Sequence, residues 1–378
     1  MKYPIGIQDF EDLQRNGYAY VDKTNFVYKL ADEGKYYFLS RPRRFGKSLF
    51  LSTLEAYFQG KKELFEGLAI YDLETDWKKY PIFHIDLNTA NFREKDSLYT
   101  VLNDYLTTWE SKYGARESEA TLALRFKGVI ARAAEKEGCG VVILIDEYDK
   151  PILQTLRDPE LQAEHRAQLK AFYSVLKTQD RYIKFAFLTG VTKFGKVSVF
   201  SDLNNLTDIS MDHRYISICG MTEKELLTNF KEGINELASA NEDNETETID
   251  KLRMRYSGYH FEENSEEIYN PFSVLNTLTN SRYDDYWFKA NTHTFLIDIL
   301  KKHDYCITDL NKAQVKANMM NNVDFNPIPV IYQSGYLTIK SYDERFKNYQ
   351  LGFPNKEVEE GILNTLLPHG CKSGIVDC

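Results

Sequence analysis

The sequence predicts an α/β fold: a parallel sheet with helices on both faces, then a helical lid and a small C-terminal β or winged element. Three observations carry this expectation. Apolar, strand-length runs alternate with helix-like segments through the first 215 or so residues. A basic loop containing a single glycine joins the first clear strand directly to the helix after it. Beyond Met221 the strands give way to helical stretches. Strands separated by helices imply right-handed crossovers and hence parallel pairing.

The elements follow in order. Asn25 to Glu33 reads as a helix closed by Gly34, followed by the apolar strand Lys35 to Leu39. After the basic loop, Ser48 to Phe58 reads as a helix with Leu49, Thr53 and Ala56 on its apolar side. Next come strand Pro81 to Asp86, helices Leu98 to Lys112 and Glu119 to Glu137, and strand Val141 to Ile145. Helix Glu160 to Thr178, strand Lys184 to Thr189 and a strand at Arg214 to Ile218 complete about five strands.

Past Met221, helices are expected at Glu223 to Ala238, Asp250 to Tyr256, Phe272 to Thr279 and Thr294 to Lys302, with a polar link at 241–248. From Pro327 to Leu351 the chain reads as strand-like, suiting a hairpin or winged element. The expected division is therefore 1–215, 216–325 and 326–360, with 361–378 as a tail. Its 378 residues suit two or three domains.

Composition narrows the function. Hydrophobic residues at 43% and charged residues at 27% place the chain among folded globular proteins. A net charge of −9 argues against coating nucleic acid by bulk electrostatics, although a local basic patch stays open. The first residues lack an apolar signal-peptide core, and runs such as Val141 to Ile145 are far short of a membrane span, so a cytoplasmic location is expected. Five scattered cysteines without CxxC spacing read as free thiols, and the seven histidines show no paired-ligand spacing. His84, inside a strand, reads as a hydrogen-bonded histidine rather than a metal ligand.

The chemistry concentrates in two motifs. Gly46-Lys47-Ser48 between a strand and a helix fits the end of the Gly-x-x-x-x-Gly-Lys-Ser/Thr phosphate loop, with Arg41 where the first glycine is expected. In such a loop, backbone N–H groups and the start of the next helix converge on phosphate, where partial positive charge is already in place. The candidate cradle is Arg41, Pro42, Arg43, Arg44, Phe45, Gly46, Lys47, Ser48 and the adjoining Leu49. Lys47 would reach the β and γ phosphates, and the Ser48 hydroxyl would ligate magnesium.

The second motif is Val141 to Ile145 followed by Asp146 and Glu147. A buried parallel strand ending in two acids suits magnesium coordination by Asp146 and polarisation of an attacking water by Glu147. Ligands gather at the carboxyl ends of strands in such sheets. Thr189 and Thr192, at the end of a third strand, are candidates for sensing the γ phosphate, with local capping as the alternative. Arg214 is a candidate finger arginine, with surface solvation as the alternative. Together these features predict a P-loop NTPase taking a nucleoside triphosphate with Mg2+.

These residues resemble the bacterial AAA-ATPase-like family. The matching pieces are Tyr20 to Thr24, Arg41 to Ser48, Ile145 to Asp149, Phe187 to Phe194, Phe200 to Asn205, Tyr256 to Tyr259, Tyr269 to Ser273 and Tyr332 to Tyr336. The resemblance spans roughly residues 3 to 365 and implies that a loop beginning without glycine is normal. It also implies ATP, in preference to GTP, and a nuclease domain of restriction-endonuclease type after the segment resembling Leu351 to Asn355. His369 to Cys378 does not look like that continuation, so a truncated form is expected. The expected activity is magnesium-dependent ATP hydrolysis. Its alternatives are a slowly hydrolysing switch that binds a protein partner, itself or DNA, and a small-molecule kinase.

Overall fold

A computed structural model describes residues 1–193, 205–290, 296–297, 300, 310–320 and 327–366. Strands β1 (Tyr36–Ser40), β2 (Ile82–Asp86), β3 (Val141–Asp146), β4 (Ile183–Gly190) and β5 (Thr207–Asp208) form one sheet in the order β2-β3-β4-β1-β5. Every pairing in it is parallel. All six residues of β3 are buried, as expected for a strand covered on both faces.

The helices of this half are α1 (Phe10–Arg15), α2 (Thr24–Glu33), α3 (Lys47–Phe58), α4 (Ala69–Leu73), α5 (Ser97–Tyr113), α6 (Leu122–Glu137), α7 (Lys150–Gln154) and α8 (Pro159–Thr178). Because side chains alternate along a strand, Tyr37 and Leu39 of β1 join a core with α2 and α3. Tyr36 and Phe38 point the other way, into a core with α5, α6 and α8. Local chemistry marks the helix ends: the Thr121 hydroxyl caps α6 through Leu124 N, and Asp158 with Pro159 opens α8.

Beyond the sheet lie α9 (Glu223–Asn229), α10 (Lys231–Ala240), α11 (Glu245–Tyr256), α12 (Pro271–Asn280), α13 (Tyr286–Lys289), α14 (Pro327–Gln333) and α15 (Lys356–Leu366). Leu226, Phe230, Ile234, Leu252 and Val274 share a third core. Strands β6 (Gln314–Lys316), β7 (Thr338–Asp343) and β8 (Asn348–Gly352) form a small antiparallel sheet, β6-β8-β7. The first core crosses from sheet to C-terminal half: it joins Leu39, Phe50 and Phe187 to Phe45, Tyr259, Trp287, Ile331, Leu351 and Ile362.

Four expectations are corrected. Residues His213–Ile218 form a 3-10 helix and not a strand, because the Asp212 carboxylate accepts from Arg214 N and starts a tight turn. The last strand of the sheet is Thr207–Asp208. The long helix from Glu223 breaks at Phe230, which leaves helical geometry (φ −125°) and buries its ring near Tyr3. The polar link is shorter than expected, since Asn244 and Glu247 form a capping box and launch α11.

The strand-like Pro327 to Gln333 is helical. All of its residues are buried, so no periodicity distinguishes helix from strand, and both prolines sit in the first turn where no N–H is needed. The helix expected at Thr294 to Lys302 lies outside the described residues, apart from 296–297 and 300, as do 367–378. Among the described residues, no helix is long and apolar enough to cross a membrane, and Cys139 and Cys219 are free thiols.

Candidate functional site

The basic loop leaves the carboxyl end of β1 and enters α3. Two of its residues are left-handed, Arg44 (φ 68°) and Gly46 (φ 94°). A Cβ on Gly46 would meet nothing within 4 Å, so backbone conformation, not space, calls for glycine there. The turn delivers Lys47 as the first residue of α3 and buries it. Its Nζ lies 3.3 Å from the Pro42 carbonyl and 3.5 Å from Glu147 Oε1.

Strand β3 ends beside it. Burial pushes Asp146 up to about 6, and neighbouring Glu147 adds to the rise, while Lys47 and a hydrogen bond from the Ser48 hydroxyl oppose it. Glu147 holds a left-handed conformation (φ 51°), and its N–H donates to Asp146 Oδ1 at 2.9 Å. A non-glycine residue in that region costs about 1–3 kcal/mol and persists where its surroundings dictate it. Tyr148 N donates to the Thr189 carbonyl and Lys150 N to that of Glu147, which fixes this turn.

Thus Lys47, Ser48, Asp146 and Glu147 converge at the carboxyl ends of β1 and β3. Residues 4–200, just over half of the chain, match the family described as Predicted AAA-ATPase. The chain belongs to this family. A relative from Azotobacter chroococcum mcd 1, described as an uncharacterized protein in the vnfD 5' region, is 38% identical over 373 residues. That match covers 97% of this chain and 70% of the relative. No solved structure matches.

In this member of the family, β4 lies between the loop-bearing and acid-bearing strands, with Leu39 opposite Thr189 and Ile145 opposite Leu188. The candidate sensors sit close by, but their hydroxyls are engaged: Thr189 donates to the Leu39 carbonyl and Thr192 to Asp149 Oδ2. The buried Asp149 carboxylate also accepts from Val191 N and Thr192 N, tying the turn after β3 to the end of β4. Burial raises its affinity for a proton.

Asp149 and Asp86 are residues that the motif reading did not place at the site. Asp86 is in register with Asp146 across β2 and β3, and the end of its own apolar strand was the available signal. His84 Nδ1 lies 2.7 Å from Glu55 Oε2. Burial alone would lower the pKa of His84, but Glu55, Asp146 and Asp86 together raise it.

Arg41 turns away from the loop's hollow. Its fully buried guanidinium donates to the carbonyls of Ser40, Ser210, Tyr215 and Ile216 and lies over the Phe261 ring, 4.0 Å from its centroid. Burial pushes its pKa down to about 10, still charged at neutral pH. The residue in the first-glycine position therefore knits β1 to the 210–216 segment. Arg41→Gly, which restores the usual spelling, is expected to lower stability, since each buried carbonyl left without a donor costs about 1–3 kcal/mol. A fall in the thermal midpoint measures it.

Arg43 and Arg44 are exposed, with Arg44 over the Phe272 ring. Pro42 is buried, Phe45 packs edge-on against Tyr259 and Phe261, and Leu49 packs against the first core. Arg214 is not brought to this cluster. It is paired with Asp212 and with Glu33, which lies three residues before β1, whose far end carries the loop.

The residues present fit a magnesium–nucleotide complex. Ser48 and Asp146 offer two adjacent oxygens, and among the described residues no group of three or more His, Cys, Asp or Glu forms a self-sufficient metal cage. That is the donor set of a cation held chiefly by phosphate and water, which would supply charge neutralisation at the phosphates.

Proposed function

We propose that this chain binds ATP with magnesium at residues 41–48 and hydrolyses it. The observation that carries the reading is the convergence of Lys47 and Ser48 with Asp146 and Glu147 at the carboxyl ends of parallel strands. In this assignment, Lys47 neutralises the phosphates, Ser48 and Asp146 hold the metal, and Glu147 takes the proton of the attacking water. Residues 1–215 carry the site, 216–325 act as a lid, and 326–360 form an appendage to it that shares its small sheet with β6 of the lid segment. The test is phosphate release from ATP by the full chain, with and without magnesium. Removing magnesium with EDTA is expected to lower the rate at least about 100-fold, given the several kcal/mol such an ion contributes. A rate indifferent to EDTA would rule the assignment out.

A second reading, a nucleotide-bound switch with slow turnover, draws on one observation. Lys47 rests against Glu147, and the Thr189 and Thr192 hydroxyls are held by other protein atoms. Hydrolysis from this arrangement requires those contacts to rearrange, a change that a protein partner, a second copy or DNA would drive by binding the rearranged state better. Copurifying ADP with turnover that rises only when such a partner is added would favour this reading.

A further inference from the structure

Resting on the nucleotide reading above, the geometry points to Trp287 and Glu357 as positioning residues that set the phosphate loop from outside it. Trp287 of α13 donates its indole Nε1–H to the Arg43 carbonyl at 2.9 Å. The backbone N–H of Gly220 donates to the Phe45 carbonyl, also at 2.9 Å. In a trans peptide the C=O and the next N–H point in opposite directions. Tying back the carbonyls of Arg43 and Phe45 therefore turns the N–H groups of Arg44 and Gly46 away from these donors. Those are the loop's two left-handed residues, so both outside contacts act where a phosphate would be met.

Trp287 is itself held. The fully buried Glu357 of α15 accepts from Trp287 N at 2.8 Å and from the Ser273 hydroxyl at 2.8 and 3.0 Å. Helix α15 reaches α13 because Gly361 lies flush on the Phe288 ring; a Cβ there would come within 2.4 Å of it. A relay thus runs from α15 through α13 to the loop: Glu357 to Trp287 backbone, then Trp287 indole to the Arg43 carbonyl. Neither residue touches nucleotide in this scheme; both act through the peptide group between Arg43 and Arg44.

The test is Mg·ADP affinity by calorimetry in the full chain, for the wild type, Lys47→Ala, Trp287→Phe, Glu357→Gln and the double variant. Trp287→Phe removes the donor and keeps a ring against Tyr336 and Phe288. It is expected to weaken binding about five- to tenfold, the worth of one hydrogen bond. Glu357→Gln should shift affinity in the same direction by less. The double variant should be no weaker than Trp287→Phe, since both act through one contact. Unchanged affinity in folded Trp287→Phe, or losses that add, would overturn the proposal. No binding by the wild type would overturn the nucleotide reading with it, whereas binding lost in Lys47→Ala but intact in Trp287→Phe overturns the relay alone. Should Trp287→Phe not fold, emission from Trp287 in a Trp77→Phe, Trp109→Phe background decides: a shift on adding Mg·ADP supports the relay, and none overturns it.

Discussion

Glu147→Gln is expected to slow ATP hydrolysis by about 100- to 10,000-fold, the range a positioned general base contributes, while ATP still binds. The amide keeps the side chain's size and one acceptor oxygen but cannot take a proton from water. The turn that aims it is fixed by backbone contacts: Glu147 N to Asp146, Tyr148 N to Thr189 and Lys150 N to the Glu147 carbonyl. The variant should therefore fold like the wild type. Single-turnover phosphate release alongside equilibrium ATP binding separates the two effects. Hydrolysis at the wild-type rate would remove Glu147 from the proposed chemistry.

Lys47→Ala is expected to act on binding. Lys47 is buried, and its near neighbours are the Pro42 carbonyl and the Glu147 carboxylate. In the proposed complex Lys47 pairs with the phosphates, and truncating one partner of a buried, hydrogen-bonded charge pair costs about 2–5 kcal/mol, or roughly 30- to 4,000-fold in affinity. The loss should exceed that of any other single change in the loop, because Lys47 is its one buried cation that faces an acid of the site, Arg41 being bound to carbonyls instead. Calorimetric titration with Mg·ATP measures it, and an unaltered dissociation constant would refute the loop as the phosphate cradle.

The sequence shows some of this architecture and hides the rest for physical reasons. Gly46-Lys47-Ser48 and Asp146-Glu147 are legible because neighbours in sequence become neighbours in the site. The parallel sheet is legible because β3 is apolar throughout and bounded by helices. The place of Arg41 is not legible, since its acceptors at Ser210, Tyr215 and Ile216 lie about 170 residues along the chain. Asp86 reaches Asp146 only through strand register. For Thr189 and Thr192 the sequence leaves sensing and local capping both open, because their acceptors, Leu39 and Asp149, are fixed only by the fold. Pro327 to Gln333 could not be told from a strand, because uniform burial erases the alternation that distinguishes them.

The strand order also governs how the protein is made. β1 and β3 leave the ribosome well before β4, yet β4 stands between them and pairs with both. A nascent chain that has reached β3 therefore exposes two apolar strands that cannot join each other in their final places. They wait for some forty more residues, and until β4 inserts, Tyr36 to Leu39 and Val141 to Ile145 offer unpaired edges to any passing chain. Most of the sheet's contacts are distant in sequence, which slows folding. Added chaperone is therefore expected to raise the yield of folded protein.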